Sequence, residues 1–194
     1  SIVIPSIDVD LPIYHGDNES VLSKGAAHLT NSSFPIGGKS THSIISAHTA
    51  YLTQVFFDRL TELKEGDIFY IKILDETYAY KVYEINVIEP EDTSLFGIQE
   101  GKDIVSLVTC TPYAINTHRL VVTGQRVELS DDLSADLEVF QFNAVARDAD
   151  GRHLKLYPSD AIEELCRTVF VLLRCAAGAV WLRRSLTAWH DHGL

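Results

Sequence analysis

The stretch Ile104-Val105-Ser106-Leu107-Val108-Thr109-Cys110-Thr111-Pro112 joins a β-branched, apolar run to a cysteine at its end. Such a run predicts a buried strand, and Pro112 ends it because proline has no backbone N–H to donate. Nine residues after Cys110, Arg119 begins a second β-branched run, Leu120-Val121-Val122-Thr123. The sequence therefore predicts a thiol at the end of one strand and a guanidinium at the start of the next.

A thiol at a strand end can act as a nucleophile, and a nearby cation would favour the thiolate or stabilise an oxyanion. Of the eight histidines, His48 is the best candidate for the base. It follows the β-type run 43–47, and a strand end beside a loop often faces a cleft. His42 and His118 lie in polar contexts and are predicted to be solvated. The alternative to a catalytic pair is that Cys110 is a small buried apolar residue and that His48 is a surface or core residue with its hydrogen bonds satisfied.

Residues 1–130 are predicted to be mostly strand, and the regular spacing of runs and turns indicates an all-β barrel or sandwich. The apolar positions between residues 53 and 63 fit one short amphipathic helix, and residues 20–24 fit a helical turn. The predicted strands are 2–4, 7–14, 43–47, 67–74, 77–89, 104–109 and 119–128.

The composition changes near Ser130-Asp131-Asp132, where lysine gives way to arginine and alanine becomes common. We therefore predict a β-domain over 1–130 and a C-terminal extension over 131–194 of unknown role. Residues 140–151 are predicted to form a strand and turn. A capping box at residues 160–163 predicts a helix over about 160–187. This helix is interpreted as a packing helix with structural cysteines, because its apolar part, 168–182, is short for a membrane span and contains a charge.

Charge and cysteine content exclude several classes of function. The formal net charge of −11 argues against electrostatic binding of nucleic acid. Three cysteines are an odd number and predict no full disulfide framework, and their spacing does not match a zinc site.

The segment Ser106-Leu107-Val108-Thr109-Cys110, followed by Arg119, resembles the Thr-Leu-x-Thr-Cys motif and arginine of sortases, the cysteine transpeptidases of Gram-positive cell surfaces. Serine replaces the first threonine and keeps its hydroxyl. Residues 2–129 as a whole resemble class C, the pilin-polymerising sortases, in segments 4–16, 75–77, 89–94, 101–103 and 111–120. One departure is Ala47-His48-Thr49, where class C enzymes often have Gly-His-Arg.

The resemblance implies a closed β-barrel of about eight strands with short helices. It implies that Cys110 attacks the Thr–Gly bond of an LPXTG-like sorting signal and that His48 and Arg119 assist. The acyl group would pass to a lysine amine of a pilin subunit, with no metal or organic cofactor. The substrate groove is predicted to be lined by Ser46, Ala47, Leu107, Thr109 and Thr111.

The same resemblance predicts a cell-surface enzyme whose partners are pilins or other surface proteins that carry a sorting signal and an acceptor lysine. The chain contains no N-terminal hydrophobic leader, so the anchor is expected to lie outside this sequence. Two other functions remain open. One is a hydrolytic cysteine peptidase with water as the acceptor, and the other is a non-catalytic β-barrel that binds a surface protein.

Overall fold

The structure, a computed structural model, describes residues 1–51 and 55–145. In this part of the chain, nine strands form one sheet in the order β2-β1-β6-β7-β9-β8-β5-β4-β3. Their bounds are β1 Ile2–Ile4, β2 Val9–Leu11, β3 Ile13–His15, β4 Ala26–His28, β5 Thr41–Ser46, β6 Ile68–Ile73, β7 Glu76–Ile88, β8 Asp103–Thr111 and β9 His118–Val127. The helices are α1 Glu19–Leu22 and α2 Asp131–Val145, with single 3₁₀ turns at Pro5–Ile7, Leu60–Glu62 and Ser94–Phe96.

The sheet curls into a nearly closed barrel because its two edge strands are consecutive in the chain. Only Pro12 separates β2 from β3, and its carbonyl accepts a hydrogen bond from the N–H of Ala26 in β4 at 3.0 Å. Gly25 is required at this corner, since a Cβ there would lie 2.8 Å from the oxygen of Pro12. The predicted β-barrel is confirmed, with nine strands rather than about eight.

One apolar cluster fills the barrel, and it draws on alternate residues of most strands. In β5, β8 and β9 the inward residues include Ile45, Leu107 and Val122, all fully buried. Their neighbours Ile44, Val108 and Val121 form a second, smaller cluster on the outer face of the same three strands. The central strands are therefore buried on both faces, which is why β8 appears in the sequence as a nearly continuous apolar run.

In the barrel domain, one strand was missed and one predicted helix is wrong. Residues 26–28 form a strand, β4, that small side chains did not signal. The helix predicted over 53–63 is absent from residues 55–63 except for the turn at Leu60–Glu62. The carboxylate of Asp58 accepts hydrogen bonds from the N–H groups of Ala50 and Phe56, both at 2.9 Å, and such bonds compete with helix formation.

The chain divides into two compact units, Ser1–Leu129 and Ser130–Leu194. In the second unit, α2 extends to Val145, so the strand predicted from residue 140 is wrong over residues 140–145. The predicted helix over 160–187, with Cys166 and Cys175, lies outside the described residues. Among the helices described, none has the length and apolar character needed to cross a membrane.

Candidate active site

The sheet places the three predicted catalytic residues at one end of three adjacent strands. Cys110 in β8 lies directly opposite Arg119 in β9, and side chains in such antiparallel pairs have Cβ atoms about 4.5–5.5 Å apart. On the other side of β8, β5 runs parallel, with Ser46 beside Val108. The next residue, Ala47, donates its N–H to the carbonyl of Val108 at 3.2 Å, so His48 emerges beside Thr109 and Cys110.

Two threonine hydroxyls tie the histidine segment to the cysteine strand. The hydroxyl of Thr109 donates to the carbonyl of Ala47 at 2.7 Å, and its oxygen lies 2.5 Å from that of Thr49. Because the Thr109 proton is already used, Thr49 is the donor in this second bond. The residues on both sides of His48 are therefore attached to the residue before Cys110, and the hydroxyl of Thr49 gives the Ala-His-Thr sequence a structural role.

The ring of His48 is held on its face by Tyr51 and has a carboxylate near one edge. It stacks on the ring of Tyr51 with centroids 4.8 Å apart and planes inclined by 5°. Its Nε2 atom lies 3.4 Å from Oε2 of Glu19, yet this buried nitrogen has no hydrogen-bond partner, so the carboxylate sits off the N–H direction. Sequence reasoning missed Glu19 and Tyr51, because nothing in their spacing connects them to His48.

The guanidinium of Arg119 is held by backbone carbonyls of the β8–β9 loop and of the first residue of β9. Its Nη1 donates to the carbonyls of Asn116 at 3.3 Å and His118 at 3.0 Å. A guanidinium has five N–H groups, and those on Nε and Nη2 have no partner in the described part of the chain. These groups remain available to bind an oxygen in the cleft that Arg119 lines.

Cys110 is half-buried and is the one free cysteine among the described residues. Beside its strand is a cleft of about 400 Å³ on the outer face of the sheet. Its floor is formed by Ile44, Ser46 and Val108, and Arg119 lies at its end. One wall is the β4–β5 loop (residues 29–40), through Leu29, Thr30 and Asn31, and the other is the β7–β8 loop (residues 89–102), through Pro90, Asp92, Thr93 and Phe96.

The five residues predicted to bind substrate lie in different surroundings. Ser46 lines the cleft, and Thr111 lies at the end of β8, opposite His118. Leu107 and Ala47 belong to the barrel core, so their placement in the groove was wrong. Successive side chains of a strand alternate between faces, and it is Val108, not Leu107, that faces the cleft. Thr109 is buried, and its hydroxyl is already used in the two hydrogen bonds described above.

Two other histidines are buried. His42, predicted to be solvated, is only 1% exposed. His28 is also buried, and its burial lowers the pKa of the ring below its usual value. His118 is partly exposed, as expected, with Nε2 3.2 Å from Oε1 of Glu89. In the described ranges, no cluster of three or more histidine, cysteine or carboxylate side chains could hold a metal ion.

Comparison with known proteins matches a family model described as a sortase domain to residues 2–127. Among curated relatives, sortase A of Listeria monocytogenes is 31% identical over 139 residues, which cover 71% of this chain and 60% of that protein. Sortase A of Streptococcus agalactiae is 29% identical over 144 residues, or 72% of this chain and 57% of that protein. The chain thus spans somewhat more than half the length of these relatives.

Solved structures are more similar still. Sortase C-1 from Actinomyces oris is 50% identical with a TM-score of 0.65, and the match covers 66% of this chain and 70% of that one. The Group B Streptococcus Pilus Island 1 sortase C2 is 50% identical with a TM-score of 0.64, covering 66% and 72%. Sortase A from Corynebacterium diphtheriae is 46% identical with a TM-score of 0.66, covering 68% and 61%. With the matched residues 2–127 spanning the barrel and all three candidate side chains, the chain belongs to the sortase family.

Proposed function

We propose that this chain is the catalytic part of a cysteine transpeptidase that joins a sorting-signal protein to a lysine amine of a pilin subunit. The observation that carries the proposal is the convergence of Cys110, His48 and Arg119 at one end of β8, β5 and β9, beside a cleft. The high identity to structures named as sortase C supports the pilin acceptor. The cellular setting in this proposal is the surface of a Gram-positive cell.

Acyl transfer at this site has two halves. The thiolate of Cys110 attacks the carbonyl carbon of the threonine in an LPXTG-like signal, and the free N–H groups of Arg119 bind the oxyanion. The C–N bond to glycine breaks as protonated His48 gives its proton to the leaving amine. In the second half, the acceptor lysine amine attacks the thioester, His48 takes a proton from it, and the thiolate of Cys110 leaves.

Acidic side chains in the cleft and beside His48 favour an amine acceptor. Asp17 and Asp92 line the cleft, and the carboxylate of Glu19 lies beside His48. These groups attract a lysine ammonium, and bringing it to the thioester in the right orientation supplies a large part of the rate. Substrate contacts in this proposal come from Ser46, Thr111 and the two loop walls.

The test is incubation of the full chain with a sorting-signal protein, with and without a pilin domain that carries the acceptor lysine. We expect a thioester adduct on Cys110 by mass spectrometry, and an isopeptide-linked product only when the pilin is present. Cys110→Ala should give neither species. Arg119→Ala removes both the charge and the planar set of donors. Arg119→Lys is its control, because it keeps the charge without the planar set of donors.

Two outcomes would contradict the proposal. Hydrolysis of the signal without ligation, even at high pilin concentration, would instead identify a cysteine peptidase. Binding of the signal protein without any adduct on Cys110 would identify a non-catalytic binding barrel.

A further inference from the structure

A buried chain of polar side chains lies on the outer face of the sheet, away from the candidate active site. Nε2 of His42 lies 2.8 Å from Oγ of Ser106, which lies 3.0 Å from Oγ1 of Thr123. Nδ1 of His42 lies 3.0 Å from the carbonyl oxygen of Gly97. All three side chains are at most 4% exposed, so these hydrogen bonds are protected from competition with water.

The direction of each hydrogen bond follows from the groups involved. A carbonyl can only accept, so Nδ1 of His42 carries a proton and donates to Gly97. In the neutral ring, Nε2 then accepts the proton of the Ser106 hydroxyl, and Ser106 in turn accepts from Thr123. The carbonyl of Gly97 thereby selects the ring tautomer, and the two hydroxyls satisfy the other ring nitrogen.

His42 connects both walls of the cleft. Its side chain holds the β7–β8 loop through Gly97, which directly follows the 3₁₀ turn Ser94–Phe96. Its backbone holds the β4–β5 loop, since its N–H donates to Oγ of Ser33 at 3.1 Å and its carbonyl accepts from the N–H of Ser33 at 2.9 Å. His42 thus contributes to the separation of the two loops, together with the bond from the N–H of Gly101 to Oγ of Ser40 at 2.9 Å and the packing of Leu95 and Phe96 on the outer face of the sheet.

His42 is nevertheless far from the reacting thiol. It pairs with Ile104, six residues before Cys110 on β8, which corresponds to about 20 Å along a strand. A group at that distance does not take part in the chemical step. Its influence on catalysis must pass through the shape of the cleft.

We propose that His42 is a positioning residue that sets the width of the substrate cleft, and that Ser106 and Thr123 orient its ring for this purpose. This inference rests on the proposed transpeptidase function for its effect on the substrate. Removing the bond to Gly97 releases the β7–β8 loop, weakens binding of the sorting signal and leaves the acyl-transfer step itself nearly unchanged.

The test compares two substitutions that each keep one half of the ring's hydrogen bonding. His42→Asn places an amide N–H near the position of Nδ1 and keeps the bond to Gly97, whereas His42→Gln reaches toward Ser106 and loses that bond. For His42→Gln we expect amide hydrogen exchange in residues 93–99 and KM for a sorting-signal peptide each to rise about tenfold, the equivalent of one hydrogen bond. We expect kcat to change less than about twofold on the same argument, and His42→Asn to remain close to the parent protein in both measurements.

A second pair of variants leaves the histidine in place. Ser106→Ala removes the hydroxyl that donates to Nε2, and Ser106→Thr keeps a hydroxyl there. We expect faster exchange in residues 93–99 for Ser106→Ala only. This pair decides the question if His42→Gln proves too unstable to study.

The exchange measurement needs no turnover, so it tests His42 even if the peptide is not a substrate. Unchanged exchange in residues 93–99 in both His42→Gln and Ser106→Ala would overturn the positioning role. Faster exchange with an unchanged KM would overturn the link between this loop and substrate binding. A fall in kcat with unchanged KM would also overturn the proposal, because it would place His42 in the chemical step.

Discussion

The two faces of β8 are both buried, but they serve different purposes. On the inner face, Val105 and Leu107 pack into the apolar core of the barrel. On the outer face, Ser106 takes part in the buried hydrogen-bond chain, Val108 lines the cleft and Cys110 ends the row. Apolar packing secures the inner face, whereas loops that come from elsewhere in the chain cover the outer face. We therefore expect substitutions on the inner face to change stability, and those on the outer face to change activity.

The largest expected effects come from a matched pair of alanine substitutions on β8. Leu107→Ala should lower the free energy of unfolding by about 2–5 kcal/mol, because it leaves a cavity in a fully packed core. Cys110→Ala should abolish thioester formation but change the unfolding free energy by less than about 0.5 kcal/mol. Urea denaturation and the ligation assay measure the two quantities. A large loss of stability in Cys110→Ala would mean that this cysteine is a core residue.

His48 and His118 provide the next comparison, because both lie at the site end of the sheet. His48→Ala should lower the rate of acyl transfer by about 10²–10⁴, the usual share of general acid–base catalysis. His118→Ala should have a much smaller effect, since its ring contacts Glu89 outside the cleft lining. The measurement is single-turnover acylation of Cys110. Equal losses at the two positions would show that His118 supports the site through Arg119.

The hydrogen bond between the hydroxyls of Thr49 and Thr109, called the bridge below, should have a smaller effect on stability. Thr49→Val keeps the side-chain shape and removes the donor, so it should cost about 1 kcal/mol of stability. A double-mutant cycle with Thr109→Val should reveal coupling, because the two hydroxyls are in contact. The exposed Thr61, replaced by valine, is the matched control. Additive effects of the two valine substitutions would contradict the bridge.

The smallest effect concerns the pH dependence of stability at β4. Burial lowers the pKa of His28, which also lies 3.0 Å from the ring of His15 between their Nδ1 atoms. Because the unfolded chain takes up this proton first, stability should fall as the pH drops below the usual histidine pKa of about 6.5 and should level off below the lowered pKa. Thermal unfolding between about pH 8 and pH 5 measures this slope. His28→Gln should flatten it, and an unchanged slope would exclude His28 as the cause.

Sequence reasoning succeeded where local pattern and tertiary environment agree. The β-branched runs around Cys110 and Arg119 predicted two strands with those residues at their ends, and the register pairs them directly. It failed where one residue's role depends on distant segments. His42 stands among polar residues in the sequence, yet the β7–β8 loop buries it. Leu107 was expected in the groove from the family resemblance, whereas the alternation of side chains along β8 turns it into the core.

The amino-acid sequence by itself determined the two strands that carry Cys110 and Arg119 near their ends, and the family motif around Cys110. These features depend on neighbouring residues, whose propensities and alternation act over a few positions. Only the tertiary structure decided which face of β8 became the cleft, how Glu19 and Tyr51 came to lie beside His48, and how His42 came to contact both loops. Each of these contacts joins segments far apart in the chain, and their meeting depends on the sheet order and register of the whole barrel.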